Sequence, residues 1–243
     1  MERLFCTELL IGKEKVLKLK HSFVTVIGLG AVGGFATEAL ARLGVGHLRL
    51  VDYDKLKATN LNRNILALEH SLGRPKVEVM KERISGISPA CKVEVLQVFA
   101  AADSFGTIFS ETPDLVIDAI DALNPKVQLL VYCHENRVPV FSSMGAATRT
   151  RVQHVKSGDL FKSHGCPLAR EIRSRLRRNG IKKGIFCVYS DEAVRKTPRM
   201  IMNEEDDYQR GRQRSKLGSL PTIPAIFGLL LAHYAAEHLC GGF

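Results

Sequence analysis

Three kinds of charged residue, in a fixed order along this chain, could together neutralise a triphosphate. Arg63 closes the polar cluster Asn60-Leu61-Asn62-Arg63, Lys76 follows Gly73-Arg74-Pro75, and Asp118 and Asp121 flank Ala119-Ile120. A guanidinium fork matches phosphate oxygens in pairs. Lys76 puts an ammonium at the start of a helix, and an exposed carboxylate can hold Mg²⁺ beside a triphosphate. In-line attack at phosphorus needs its equatorial charge neutralised, and hydride transfer has no such need. The set favours ATP and adenylation over NAD. Taken singly, Arg63 and Lys76 also read as surface charge and Asp118 as a helix cap; jointly, in this order, the chemical reading is the better one.

The elements around these residues must bring them to one place. Gly28-Leu29-Gly30-Ala31-Val32-Gly33 closes the apolar run Phe23 to Ile27 and opens a helix-like stretch from Phe35 to Leu43. A second apolar run, His47 to Val51, ends at Asp52. Gly28, Gly30, Ala31 and Gly33 form a tight turn in which phosphate can approach bare N–H groups at the positive end of a helix. Asp52, at the tip of the second strand, is placed to accept hydrogen bonds from ribose hydroxyls. Alone, this fingerprint specifies a nucleotide and leaves open which one.

Further along, the pattern predicts a helix over Val77–Ile87 behind Pro75, a strand over Val93–Phe99, and an apolar strand Leu115–Ile117. A helix over Asn124–Arg137 and a strand over Val138–Ser142 follow. Strands alternating with helices imply an α/β fold with a doubly wound, mostly parallel sheet, Rossmann-like, carrying a basic C-terminal extension. From about Gly145 the pattern changes to a basic helix, a short strand Ile185–Tyr189, a long polar loop and an apolar closing helix Thr222–Leu239. One domain over 1–243, with a nucleotide-binding core at 1–145 and a specialised region at 146–243, is the simplest division.

The 243 residues are 45% hydrophobic, enough for one ordinary globular core. Met1 to Lys20 is charged throughout and lacks the apolar centre of a signal peptide. The longest apolar stretch, Thr222 to Ala232, is short for a bilayer and contains Pro224. The expectation is a soluble cytoplasmic protein without a membrane segment. Six cysteines stand singly at 6, 91, 133, 166, 187 and 240, with no Cys-x-x-Cys pair. A structural zinc site and a disulfide framework are therefore not expected. Net charge is +10, concentrated in two blocks, Arg170 to Lys183 and Arg195 to Lys216. Such blocks suit a phosphate backbone, and they also suit a solvated helix face and a polar loop.

These residues carry a resemblance. Gly28-x-Gly30-x-x-Gly33, Asp52-Tyr53-Asp54, Asn60-x-Asn62-Arg63, Gly73-Arg74-Pro75-Lys76 and Asp118-Ala119-Ile120-Asp121 resemble, in order and spacing, the ubiquitin-activating-enzyme superfamily, of ThiF/MoeB type. By that resemblance Asp52 binds the ribose, Asn60, Arg63 and Lys76 the phosphates, and Asp121 Mg²⁺. Within the superfamily the likeness is greatest to the tRNA threonylcarbamoyladenosine dehydratases. It is carried by Val140 to Ala146, by Lys162-Ser163-His164-Gly165-Cys166-Pro167-Leu168-Ala169 with the basic helix behind it, and by Val188-Tyr189-Ser190-Asp191-Glu192. The absence of zinc cysteines agrees with it.

The likeness implies ATP-dependent cyclisation, by loss of water, of threonylcarbamoyladenosine beside the anticodon of tRNA. Adenylation replaces a poor leaving group on the carboxylate with AMP, and the carbamoyl group of the same side chain then attacks. Arg63, Lys76 and Asp121 become the catalytic set. Arg173, Arg177, Lys182 and Lys183 become RNA contacts, and 146–243 the tRNA-binding and dimerisation region. A homodimer and a partner from a cysteine-desulfurase system belong to the same expectation, with Arg3 the candidate for an arginine that enters the partner's site. Thr148-Arg149-Thr150-Arg151 stands where that family has Asp-Pro-Thr, and it is the main departure. Cys166 and Cys187 are candidate thiols, Cys187 flanked by Phe186 and Val188 as a buried strand residue would be; His164 reads as an RNA contact or a surface histidine. Two other readings stay open: adenylation of the C-terminus of a ubiquitin-like sulfur carrier, and an NAD-binding oxidoreductase.

Overall fold

In this computed structural model the described residues are 2–194 and 217–243. Two short helices, α1 (Phe5–Ile11) and α2 (Lys13–His21), lead into β1 (Phe23–Ile27), α3 (Ala31–Leu43) and β2 (His47–Val51). After a segment of turns come α4 (Lys76–Ile87), β3 (Lys92–Leu96), α5 (Phe105–Ile108) and β4 (Leu115–Asp118). Then follow α6 (Leu123–Glu135), β5 (Val140–Ser143), β6 (Val155–Asp159), α7 (Pro167–Arg178), β7 (Phe186–Ser190) and α8 (Thr222–Cys240). The strands form one sheet in the order β3-β2-β1-β4-β5-β7-β6, parallel except for the β6–β7 pair.

Strand composition explains this arrangement. Every residue of β1 and β4 is buried, as befits central strands covered on both faces. Leu19, Leu40, Met80, Ile84, Phe227 and Leu231, from α2, α3, α4 and α8, cover one face of the sheet. Ile108, Leu129, Leu130, Ile172 and Leu176, from α5, α6 and α7, cover the other. Each such side chain contributes about 1.5–3 kcal/mol when fully buried.

The residues after 145 add β7 and β6 to the same sheet. β6 carries one apolar residue in Val-Lys-Ser-Gly-Asp, which hides it from periodicity; it sits at the sheet edge, where polar side chains are the norm. α8 is longer than the apolar stretch that marks it, and its 19 residues have the length and apolarity of a membrane-crossing helix. Ile223, Phe227 and Leu231 are fully buried, and a Cβ at Gly228 would lie 2.3 Å from the Val32 carbonyl oxygen. α8 thus packs backbone-close on α3 as a core helix, and those three residues belong to the chain's own interior.

Candidate active site

The site forms where the strand order reverses. β1 and β4 are neighbours, and the chain leaves them toward opposite edges of the sheet, which opens a crevice at their carboxyl ends. Gly28 follows β1, and Ala119 to Asp121 follow β4.

Backbone contacts set the floor of this crevice. Gly28 has φ +92°, and a Cβ on it would lie 2.8 Å from the Ala119 carbonyl oxygen. A Cβ on Gly33 would lie 1.7 Å from the Gly28 carbonyl oxygen. Gly30 differs, because nothing lies within 4 Å of its Cβ position. It caps α3 without a side chain, and the first main-chain bond it accepts comes from Gly34 N–H at 2.9 Å. The N–H groups of Ala31, Val32 and Gly33 have no acceptor inside the helix and point out of its positive end. An open space over bare amides is what an incoming phosphate requires.

Asp52 is buried at the tip of β2 and holds the turn from the side. Its Oδ2 accepts from Leu29 N–H at 2.6 Å and its Oδ1 from Asp54 N–H at 2.8 Å. Burial pushes the Asp52 carboxyl above the usual carboxylate range, against the opposing pull of Lys76 and the two backbone donors. Asn64, unmarked by any sequence pattern, donates to the Leu29 carbonyl at 3.0 Å and is buried as well. Asp52 and Asn64 thus grip both backbone groups of Leu29.

Lys76 enters from the start of α4. Its Nζ lies 2.7 Å from Asp54 Oδ2 and 3.9 Å from Asp52 Oδ2. Burial would lower its pKa, but Asp52, Asp54 and the negative charge of Asp121 together raise it, so the side chain is a fixed cation. Arg63, Asn60 and Asn62 form a second group. Arg63 Nη1 donates to Thr59 O and Asn62 Oδ1, each at 2.8 Å, and Asn60 Oδ1 accepts from Lys57 N–H at 3.1 Å. Asn62 Nδ2 donates to Ser219 O at 3.0 Å, tying this loop to the approach of α8.

One expectation changes here. Asp118 is not an exposed carboxylate. It is fully buried, 2.6 Å from Lys126 Nζ, and accepts from Ser142 Oγ at 2.7 Å. Asp121 is exposed. Burial pushes the Cys187 thiol up to about 12, with Cys166 and Asp159 adding to the effect, so it stays protonated and unsuited to attack. Cys166 is buried too. Arg3 donates to Ile87 O at 3.0 Å and so closes the end of α4 in its own chain.

The departure at Thr148–Arg151 has its own anchor. Glu192 Oε2 accepts from Thr150 N–H and Arg151 N–H, both at 2.9 Å. Arg149 is buried and donates to the Glu192 and Gly165 carbonyl oxygens. Asp191 lies 2.6 Å from His154 Nδ1 and 3.5 Å from His164 Nε2, with His164 largely exposed. On α7, Ala169, Ile172 and Leu176 are buried while Arg170, Arg177 and Arg178 face solvent, as do Lys182 and Lys183. Arg173 is half-buried and donates to Ser163 Oγ, so it also braces the loop before the helix. The second basic block, Arg195 to Lys216, lies outside the described residues.

The profile of the ThiF family matches residues 5–242. This chain belongs to the ThiF family. Its relatives there include the tRNA threonylcarbamoyladenosine dehydratase of Bacillus subtilis (strain 168), 39% identical over 239 residues, 96% of this chain and 92% of that protein. The protein of the same description from Escherichia coli (strain K12) is 38% identical over 195 residues, 77% of this chain and 73% of that protein. The crystal structure of the E. coli tRNA N6-threonylcarbamoyladenosine dehydratase in complex with ATP aligns with a TM-score of 0.87 and 33% identity, covering 99% of this chain and 94% of that one. Its complex with AMP gives a TM-score of 0.88 at the same identity, covering 99% and 95%. The fold is thus shared, over nearly the whole chain, with a protein solved in complex with ATP and with AMP.

Proposed function

We propose that this ThiF-family chain is an ATP-dependent tRNA dehydratase that cyclises threonylcarbamoyladenosine through an acyl-adenylate. The observation that carries the reading is the open space over Gly30, where α3 begins behind β1, together with Lys76 and Asp121, which lie within reach of each other's charge. Near full-length similarity to relatives so described supports the substrate assignment.

In this mechanism the amides of α3 take the phosphates and Asp52 accepts from the ribose hydroxyls. Lys76, already cationic, and Arg63 neutralise charge as the substrate carboxylate attacks the α-phosphorus. Asp121 offers an exposed oxygen donor suited to a hard cation, and Mg²⁺ would supply charge neutralisation at the departing pyrophosphate. The carbamoyl nitrogen then attacks the activated carbonyl carbon, AMP leaves, and the ring closes; proximity within one side chain suffices, without a protein nucleophile.

The tRNA would lie along α7, held by Arg173, Arg177, Lys182 and Lys183. We place the nucleotide site in 1–145 and tRNA contact and dimerisation in 146–243, with α1 adding the exposed Phe5, Leu9 and Leu10 as apolar area for a homodimer. A cysteine-desulfurase partner would find an exposed thiol at Cys6. A cytoplasmic location fits a tRNA substrate.

The test is pyrophosphate release from ATP·Mg²⁺ with and without threonylcarbamoyl-modified tRNA, followed by nucleoside mass analysis. Release that depends on modified tRNA, with the nucleoside lighter by one water, is the expected result. Release stimulated by a ubiquitin-like sulfur carrier instead of tRNA would replace this reading with protein adenylation, and no ATP binding would remove both.

A further inference from the structure

Lys126, in the first turn of α6, is fully buried, as is its partner Asp118. Taking two charges out of water costs several kcal/mol per ion, so a buried pair is a poor device for stability alone. What this pair does is geometric. Lys126 Nζ lies 2.6 Å from Asp118 Oδ2, 3.5 Å from the Asp118 carbonyl oxygen and 3.2 Å from Ser142 Oγ on β5. Ser142 in turn donates to Asp118 Oδ2 at 2.7 Å. One ammonium therefore joins the ends of β4 and β5 to the start of α6.

The other oxygen of Asp118 shapes the turn that follows. Asp118 Oδ1 accepts from Ile120 N–H at 3.1 Å, and Ala119 N–H donates to Ile27 O at 2.9 Å. The Ala119 carbonyl lies against Gly28, so close that a Cβ there would meet it at 2.8 Å. Lys126 N–H donates to Ala122 O at 3.1 Å, which closes the turn from its far side. Between these fixed points stands Asp121, whose charge reaches Lys76.

We infer that Lys126 is a positioning residue: through Asp118 it fixes the Ala119–Ala122 turn, and so the place of Asp121 relative to the glycine turn and Lys76. The inference rests on the adenylation reading for its kinetic consequence, and on the hydrogen-bond geometry alone for its structural one.

The test uses the full chain as wild type, Lys126→Met, Lys126→Arg and the double variant Asp118→Asn/Lys126→Met. Three quantities are read: ATP–pyrophosphate exchange in the presence of threonylcarbamoyl-modified tRNA, AMP affinity without metal by calorimetry, and amide hydrogen exchange at Ala119 and Ile120. Lys126→Met should lower kcat for exchange about 100-fold while AMP affinity stays within about twofold, because the amides of α3 and Asp52 are untouched. Its Ala119 and Ile120 amides should exchange at least about tenfold faster. Lys126→Arg, which keeps a cation in reach of Asp118, should recover most of both effects.

The double variant removes both buried charges, so its melting temperature should return toward wild type while kcat stays low. Recovery of kcat together with melting temperature would reduce Lys126 to a structural residue and overturn the inference. Unchanged amide protection in Lys126→Met would overturn it as well. Where Lys126→Met does not fold, Ser142→Ala makes the same test, with a smaller loss of kcat and faster amides expected. Should the wild type show no pyrophosphate exchange, the adenylation reading fails, and the amide measurement still decides the role of Lys126.

Discussion

Asp54 fixes Lys76 at both ends: the lysine amide donates to the Asp54 carbonyl oxygen at 3.0 Å, and its Nζ lies 2.7 Å from Asp54 Oδ2. The Gly73–Lys76 segment is also laddered to Asp54–Leu56, through Leu56 N–H to Arg74 O at 2.9 Å and Gly73 N–H to Leu56 O at 2.8 Å. A cation held this way needs little reorganisation when charge develops on a phosphate. Lys76→Met should lower ATP–pyrophosphate exchange by about 10²–10³-fold, with a much smaller change in KM for ATP. Asp54→Asn, which keeps the backbone bond and loses only the carboxylate, should cost less. Initial rates at varied ATP check both, and a rise in KM alone would reassign Lys76 to ground-state binding.

Gly30 and Gly33 separate ligand space from packing space. A methyl at Gly33 would overlap the Gly28 carbonyl at 1.7 Å, so Gly33→Ala must move the turn or α3. A loss of about 3 kcal/mol or more in stability is expected, with nucleotide binding lost alongside. Gly30→Ala meets nothing in the protein and leaves backbone angles (φ −68°, ψ −163°) that any residue adopts. It should melt within about 0.5 kcal/mol of wild type and yet bind ATP at least about tenfold more weakly, because the methyl takes up phosphate space. Denaturant titration and calorimetry on the two variants give the comparison. Unimpaired ATP binding by Gly30→Ala would put the phosphates elsewhere.

The strand, glycine turn, helix, strand and acid of the first 52 residues were legible because the local pattern and the tertiary role agree there. The start of α3 was not: the helix begins at Ala31, ahead of the expected Phe35, because Gly33 and Gly34 sit in its first turn for close packing despite their poor helix propensity. β3 ends at Leu96, short of the alternation that runs to Phe99. α1 and β6 escaped altogether, β6 because its partner β7 lies some thirty residues on. In the site, Asp121 and Lys76 could be picked out by type and spacing. The burial of Asp118 could not, since Lys126 and Ser142 reach it from two other elements. Nor could Asn64, whose role exists only once Leu29 is in place, and Glu192 was marked by resemblance alone, its anchoring of Thr150 and Arg151 being visible only in the fold.

The basic face of α7 predicts a salt signature. Arg177 stacks over Phe161 at 5.7 Å from the ring centroid, leaving an exposed guanidinium, and Lys182 and Lys183 are exposed beyond the helix end. Replacing Arg177, Lys182 and Lys183 with alanine one at a time should weaken tRNA binding and reduce the slope of log K against log salt by about one for each phosphate no longer neutralised. Melting temperature should hardly move. Arg173→Ala differs, since it also removes the bond to Ser163 Oγ and should lower stability as well as affinity. Filter binding across a series of salt concentrations gives the slopes. Slopes equal to wild type in all four variants would take the RNA off this helix.

At the amino end of the sheet, away from the glycine turn, Glu94 gathers two cations and a histidine. Lys92 Nζ lies 2.6 Å from Oε1, Arg49 Nη2 2.7 Å from Oε2, and His47 Nε2 3.0 Å from Oε1. Arg49 is itself fixed by the Ile108 carbonyl at 2.8 Å and by the Phe23 ring beneath it. The hydrogen bond from Lys92, followed by those of Arg49, holds the Glu94 carboxyl down at about 2, against 4.5 for an ordinary glutamate. A carboxylate with a depressed folded pKa stabilises the native state above its unfolded pKa, and the stabilisation fades as pH falls through the folded value. Glu94 therefore contributes fully above about 4.5 and progressively less down to about 2. Glu94→Gln removes the titrating group, so its melting temperature should be lower than wild type at about pH 6 and should fall less steeply between about pH 4.5 and 2.5. High salt should shrink the difference near neutral pH, because the carboxylate is partly exposed and its partners are screened. ATP–pyrophosphate exchange by Glu94→Gln at neutral pH should match wild type, since β1 and β2 carry their nucleotide-facing residues at the opposite end. Parallel melting curves against pH for the two proteins would mean that the acid limb is set by other carboxylates.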